Sequence, residues 1–109
     1  MEQGLIDITK NLATLYPDTY GSVVFKDYSL QKQFVDEVGD SIDFSIVSKT
    51  LNFSNGTKVT LRVKDGLNFN FNVHWFLLTF YDTDLFEKLA LRLRAGEPGL
   101  AISMSSYPV

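Results

Sequence analysis

Cysteine is absent from this chain of 109 residues. Disulfide staples, zinc-thiolate centres and thiol nucleophiles are thereby excluded. Long apolar runs are absent too, and no stretch approaches the roughly 20 residues that span a bilayer. The opening residues, MEQGLIDITKNL, carry no basic segment followed by an apolar run, as a secretory signal would. Together these absences predict a cytoplasmic protein with no membrane span. There is no Walker lysine loop, no GxGxxG and no HExxH. No cofactor and no metal is expected. Two sequons, Asn52-Phe53-Ser54 and Asn55-Gly56-Thr57, would matter only in a secreted chain and are read as chance matches at a turn.

What is present is apolar and aromatic. Apolar residues make up 45% of the chain and aromatics 14%, with nine Phe. That is enough for one core in one domain, residues 1–109, without staples. Net charge is −3 but unevenly spread: residues 1–43 hold eight acids against three bases, and residues 44–109 hold seven bases against five acids. The overall acidity argues against nonspecific nucleic-acid binding, which runs on positive potential. The acidic half, around Asp36, Glu37 and Asp40, reads first as a solvated surface, with contact to a basic protein partner as the alternative.

Hydrophobic spacing gives the elements. Leu5, Ile8, Leu12 and Leu15 mark a first helix over about 3–15, stopped before Pro17. SVVFK, 22–26, is a short strand. A second helix starts at Ser29, carries Leu30, Phe34, Val35 and Val38, and ends at Gly39. Ile42, Phe44 and Ile46 alternate as a strand. Asp82-Thr83-Asp84 opens a third helix with Leu85, Phe86, Leu89, Ala90 and Leu93 on its apolar face; Gly96 ends it, and Glu97-Pro98-Gly99 turns the chain. Leu100, Ile102 and Met104 mark a last strand.

Residues 50–80 read as a three-stranded meander. A three-residue loop at Ser54-Asn55-Gly56 pairs Leu51 with Val59, whereas a two-residue loop would set apolar residues against polar ones on every rung. The same parity puts a second loop at Lys64-Asp65-Gly66 and sets Leu61 against Phe69. Glycine in the left-handed region is required at Gly56 and Gly66. The expected fold is α+β in the order α-β-α-β-β-β-β-α-β, with a mainly antiparallel sheet and helices packed on one face.

In this arrangement one sheet face is polar, with Lys58, Arg62, Asn68, Asn70, Asn72 and His74. Beyond His74 that face turns apolar, with Phe76, Leu78 and Phe80. Burial of each is worth about 1.5–3 kcal/mol, so something covers them: the first helix, a partner protein, or a second copy of the chain. His74 has no nucleophile or carboxylate beside it in the sequence and reads as structural. Asp82 and Asp84 read as helix-capping carboxylates rather than as metal ligands. The polar face lacks the stacking aromatics of single-strand binders. The segment FSNGTKVTLR, Phe53 to Arg62, resembles a hairpin of viral DNA-packaging ATPases over about ten residues. No phosphate-binding loop accompanies it, and nothing of that family's activity is carried over. The terminal Ser106-Tyr107-Pro108-Val109 could be held by a peptide-binding domain, but reads more plainly as a loose chain end.

The functional expectation is a small non-enzymatic protein-binding module, a regulator or inhibitor, touching its partner through Phe76, Leu78 and Phe80 or through Asp36, Glu37 and Asp40. The alternatives are a ligand- or nucleic-acid-binding face at Lys58, Arg62, Asn68, Asn70 and His74, and a small enzyme using His74.

Overall fold

The computed structural model describes residues 3–94 and 98–104. Within them the chain runs α1 (Gln3–Leu15), β1 (Tyr20–Phe25), α2 (Tyr28–Val38), β2 (Asp43–Ser45), β3 (Thr50–Asn52), β4 (Lys58–Val63), β5 (Trp75–Leu78), α3 (Thr83–Ala90) and β6 (Leu100–Ser103). The class and order of elements are those expected. The expected Gly96 stop and part of the Glu97-Pro98-Gly99 turn lie outside the described residues, as does the tail from residue 105.

The sheet is mixed, not mainly antiparallel. Its order is β2-β3-β4-β1-β5-β6. β1 pairs in parallel with both β4 and β5, and β5 in parallel with β6; only β2-β3 and β3-β4 are antiparallel. The first half of the expected meander is present. Leu51 faces Val59, and the Phe53 N–H donates to the Thr57 carbonyl across the three-residue loop. The second half is not. The turn at Lys64-Asp65-Gly66 forms, with the Leu67 N–H donating to the Lys64 carbonyl. β4, however, already has β3 on one edge and β1 on the other, and a strand has only two edges. Residues 67–72 therefore leave the plane of the sheet and cross over its face. The chain rejoins the sheet beyond Val73, which bridges Leu93, and β5 starts at Trp75.

That crossing accounts for the odd composition of GLNFNFNVHWFLLTFYD. Asn68, Asn70 and Asn72 are exposed on the outside of the crossing segment, while Leu67, Phe69 and Phe71 pack down onto the sheet. The alternation belongs to an extended segment lying on a sheet, not to a strand within one. The continuous apolar run that follows is a central parallel strand covered on both faces: all four residues of β5 are buried.

Helices pack on both faces rather than on one. Alternate residues of the central strands divide two cores. Val23, Phe25, Leu61, Trp75 and Leu77 meet α1 and α2 through Leu5, Ile6, Leu12, Phe34 and Val38. Val24, Phe76 and Leu78 meet α3, through Leu85 and Leu89, and the crossing segment. The buried stripe of α1 is Leu5, Ile6, Thr9, Leu12 and Ala13, so the expected Ile8 and Leu15 lie outside it, with Leu15 67% exposed. Both stripes satisfy helical spacing; the neighbour decides between them. Thr9 tolerates burial because its hydroxyl donates to the Leu5 carbonyl at 2.9 Å.

The first hairpin loop also closes the end of α1. Asn55 Nδ2 donates to the Ala13 carbonyl at 2.8 Å, and Thr57 Oγ1 to the Tyr16 carbonyl at 2.8 Å, which satisfies carbonyls that a helix end leaves free. Thr19 Oγ1 donates to the same Tyr16 carbonyl and accepts from Trp75 Nε1, tying this corner to β5.

Gly56 and Gly66 both have positive φ, 90° and 72°. They differ in surroundings. A Cβ at Gly56 would run into the Asp18 carboxylate, whereas one at Gly66 would meet open space. Gly66→Ala should therefore cost only the conformational penalty, about 1 kcal/mol. Gly56→Ala should cost somewhat more, because the exposed Asp18 carboxylate must also swing aside. Urea denaturation of the two variants checks this, and equal losses would contradict it.

Candidate functional site

Phe76, Leu78 and Phe80 do not form an outer patch. Phe76 and Leu78 are fully buried and Phe80 nearly so. Their cover is α3 and the crossing segment, not α1, which lies on the opposite face. Phe76 meets Phe86 edge-on with ring centroids 5.4 Å apart. The chain itself supplies what these residues need.

The acidic residues lie elsewhere, at the β2 end of the sheet. Asp27 caps the start of α2 by accepting from the Leu30 N–H. Gly39, at φ 54°, ends the helix, its N–H donating to the Val35 carbonyl. The Ser41 hydroxyl then donates to the Val38 carbonyl at 2.7 Å and turns the chain toward β2. Asp36, Glu37, Asp40 and Asp43 are all exposed along this path. Asp36 sits 3.6 Å from Lys32 one helical turn back, a solvent-exposed pair of small energetic weight.

Beside these acids lies a feature that strand periodicity concealed. Ile46 is 74% exposed and Val47 96%. The alternation Ile42, Phe44, Ile46 places Ile46 inward, but β2 ends at Ser45 and the chain enters a turn. Lys49 completes that turn at φ 54°, and Thr50 Oγ1 donates to the Ser48 carbonyl. The available signal was the pair itself: two adjacent apolar residues cannot both point to one side of a strand. An open groove of about 480 Å³ runs beside them, lined by Gly39, Asp40, Ile42, Asp43, Phe44 and Ile46. A neighbouring cleft of about 680 Å³ shares Ile42 and Asp43 and extends to Lys10, Thr14 and Phe53.

The polar face divides. Lys58 and Arg62 lie on the sheet, on the face away from α1, whereas Asn68 and Asn70 lie on the outside of the crossing segment. The strand registers place Asp43, Asn52, Lys58 and Tyr20 on one rung and Ser45, Thr50, Thr60 and Ser22 on the next. Lys58 Nζ donates to Asn52 Oδ1, and Arg62 Nε to the Ser22 hydroxyl at 2.9 Å. The Arg62 guanidinium stacks 3.7 Å from the Phe71 ring centroid, and burial holds its pKa below the usual value. Arg94 reaches over the Tyr20 ring.

His74 is part of the join between β1 and β5. Its Nδ1 accepts from the Tyr20 N–H at 2.9 Å, and its own backbone N–H donates to the Tyr20 carbonyl. The imidazole stacks on the Tyr20 ring with centroids 5.9 Å apart. Burial and the nearby Arg94 charge hold its pKa below 6.5. A nitrogen that accepts a backbone N–H must also be unprotonated, so the neutral ring is the one that fits.

Asp82 caps α3, its Oδ1 accepting from the Leu85 N–H at 3.0 Å, while Oδ2 meets Lys64 Nζ at 2.9 Å. The Lys64 hydrogen bond holds its carboxyl below the usual range. Asp84 sits in the first turn of α3, facing solvent. Among the described residues, no group of three or more His, Cys, Asp or Glu could hold a metal ion, and no helix is long and apolar enough to cross a membrane. No protein-family model, curated protein or solved structure matches the chain.

The His74 tether makes a pH prediction. Because its pKa is lowered on folding, the unfolded chain takes up the proton first as pH falls. The stability that His74 contributes is therefore complete above its unfolded pKa and is lost as pH drops through the folded one. Wild type should lose more stability than His74→Gln between pH 7 and pH 5, as read by urea midpoints. Equal losses would mean that the neutral ring is not what joins the strands.

Proposed function

We propose that this chain is a small non-enzymatic protein-binding module, a regulator or inhibitor acting by contact, and that its partner meets the β2 end of the sheet. The observation that carries this reading is the exposure of Ile46 and Val47 beside an open groove and four exposed acids. Covering two such side chains is worth about 1.5–3 kcal/mol each, which an isolated chain forgoes. The acids Asp36, Glu37, Asp40 and Asp43 favour a basic partner and speed its approach. The burial of Phe76, Leu78 and Phe80 leaves this end as the better place for contact. The His74 ring, engaged with Tyr20, supports a structural rather than an enzymatic role for that residue.

One observation favours a second reading, an anion- or nucleic-acid-binding face. Arg62 is half-buried with a hydroxyl and an aromatic ring as neighbours, and among the described residues no carboxylate pairs with it. Lys58 and Arg94 flank the same region.

The two readings separate in one experiment. Tagged wild type is used to capture partners from the source cells, alongside Ile46→Asp/Val47→Asp and Lys58→Glu/Arg62→Glu. The first variant replaces residues in a solvent-facing turn, so it should stay within about 0.5 kcal/mol of wild-type stability. The contact reading expects a protein partner that the first variant loses and the second retains. Capture of nucleic acid that only the second variant loses would support the other face. Identical capture by all three chains would overturn both.

A further inference from the structure

The β2 edge has a backbone pattern that specifies how a partner would attach. Hydrogen bonds beyond the named strands fix which residues of β3 face which neighbour. Phe53 pairs with Thr57, and the Leu61 N–H donates to the Lys49 carbonyl. In an antiparallel ladder the bonded pairs alternate, so Leu51 is bonded to Val59, and the N–H and C=O of Thr50 and Asn52 turn the other way, to β2. Their β2 partners are Ser45 and Asp43. Phe44, between them, is opposite Leu51 in the unbonded position. Its own N–H and C=O therefore point away from the sheet, along the free edge. Among the described residues, β2 is the last strand on that side.

We propose that an extended, basic segment of a partner protein adds to this edge as an antiparallel strand, exchanging both backbone hydrogen bonds with Phe44. Strand addition of this kind takes its affinity from the backbone and its selectivity from alternate side chains. Both parts are present. The Phe44 side chain shares its sheet face with Leu51 and packs against the core of α1 and α2, and the groove there is lined by Ile42 and Ile46. Asp43 points to the opposite face. The added strand thus places apolar side chains beside Phe44 and cationic ones beside Asp43, with Asp40 at the end of the groove. A second copy of this chain is a poorer occupant: pairing the two Phe44 residues would set Asp43 opposite Ser45 and bring no cation to the acids of this edge. This mode of binding rests on the contact reading above and narrows it to one geometry.

The test uses a short synthetic peptide that alternates lysine with valine, blocked at both ends, and the isotopically labelled full chain. In an antiparallel pair, residues directly opposite each other share a face. The peptide residue that bonds Phe44 is therefore a valine. At saturating peptide the Phe44 amide should exchange with solvent at least about tenfold more slowly, while the amides of Thr50 and Asn52 change little. N-methylation of the valines should abolish this protection; N-methylation of the lysines should not. A glutamate–valine peptide should give none. If Phe44 gains no protection, or if both N-methylated peptides act alike, strand addition is overturned. Should that occur while Ile46→Asp/Val47→Asp still loses its cellular partner, the contact reading stands and only the geometry fails.

Discussion

A strand can pair along two edges and no more, and β1 uses both for parallel neighbours. β4 lies on one side and β5 on the other. Since β4 also holds β3, no strand following it in sequence can pair beside it. The chain must travel across β1 to reach the next open position. It does so without a helix, in an extended segment whose apolar residues lie on the sheet and whose asparagines face water. The rest of the second face follows: α3 packs beside that segment, and the two together cover Phe76, Leu78 and Phe80.

The two faces are not equally sealed. One is closed by α1 and α2. Its corner is held by a chain of polar contacts from the end of α1 through Thr57 and Thr19 to Trp75, with the Trp75 indole occupying the space that a side chain at Gly21 would need. The other is closed over β5 and β6 and stays polar toward β3 and β4, where Thr50, Thr60, Arg62 and Lys58 lie. The apolar demand of the sheet is met where the strands are central. It lapses toward β2, and at that end Ile46 and Val47 stand in solvent, which is why contact with a partner is proposed there and not on the aromatic face.

The elements were legible in the residues because each is a local matter. Helical spacing, the Gly39 stop and the Asp82 cap act over a few residues, and loop parity at Ser54-Asn55-Gly56 compares only adjacent strands. The acidic path along Asp36, Glu37 and Asp40 was legible as charge. Alternation places Ile46 inward, but β2 ends one residue before it at Ser45, and Val47 stands in the turn that follows, where strand periodicity carries no information. The cationic face was legible only in part: Lys58 and Arg62 stand on the sheet as expected, but Asn68 and Asn70 belong to the segment that crosses it.

By itself the sequence determined the order and type of the elements, the turn at Gly56, the turn at Gly66 and the division of each strand into two sides. Only the tertiary structure decided which strands are neighbours, that the sheet is mixed, and that helices cover both faces. The physical reason is that period-two alternation records how an extended segment divides its side chains between two sides. Residues 67–72 would alternate in the same way paired within a sheet or lying upon one. The choice between those states was made by the edges of β4, both occupied by strands from elsewhere in the chain.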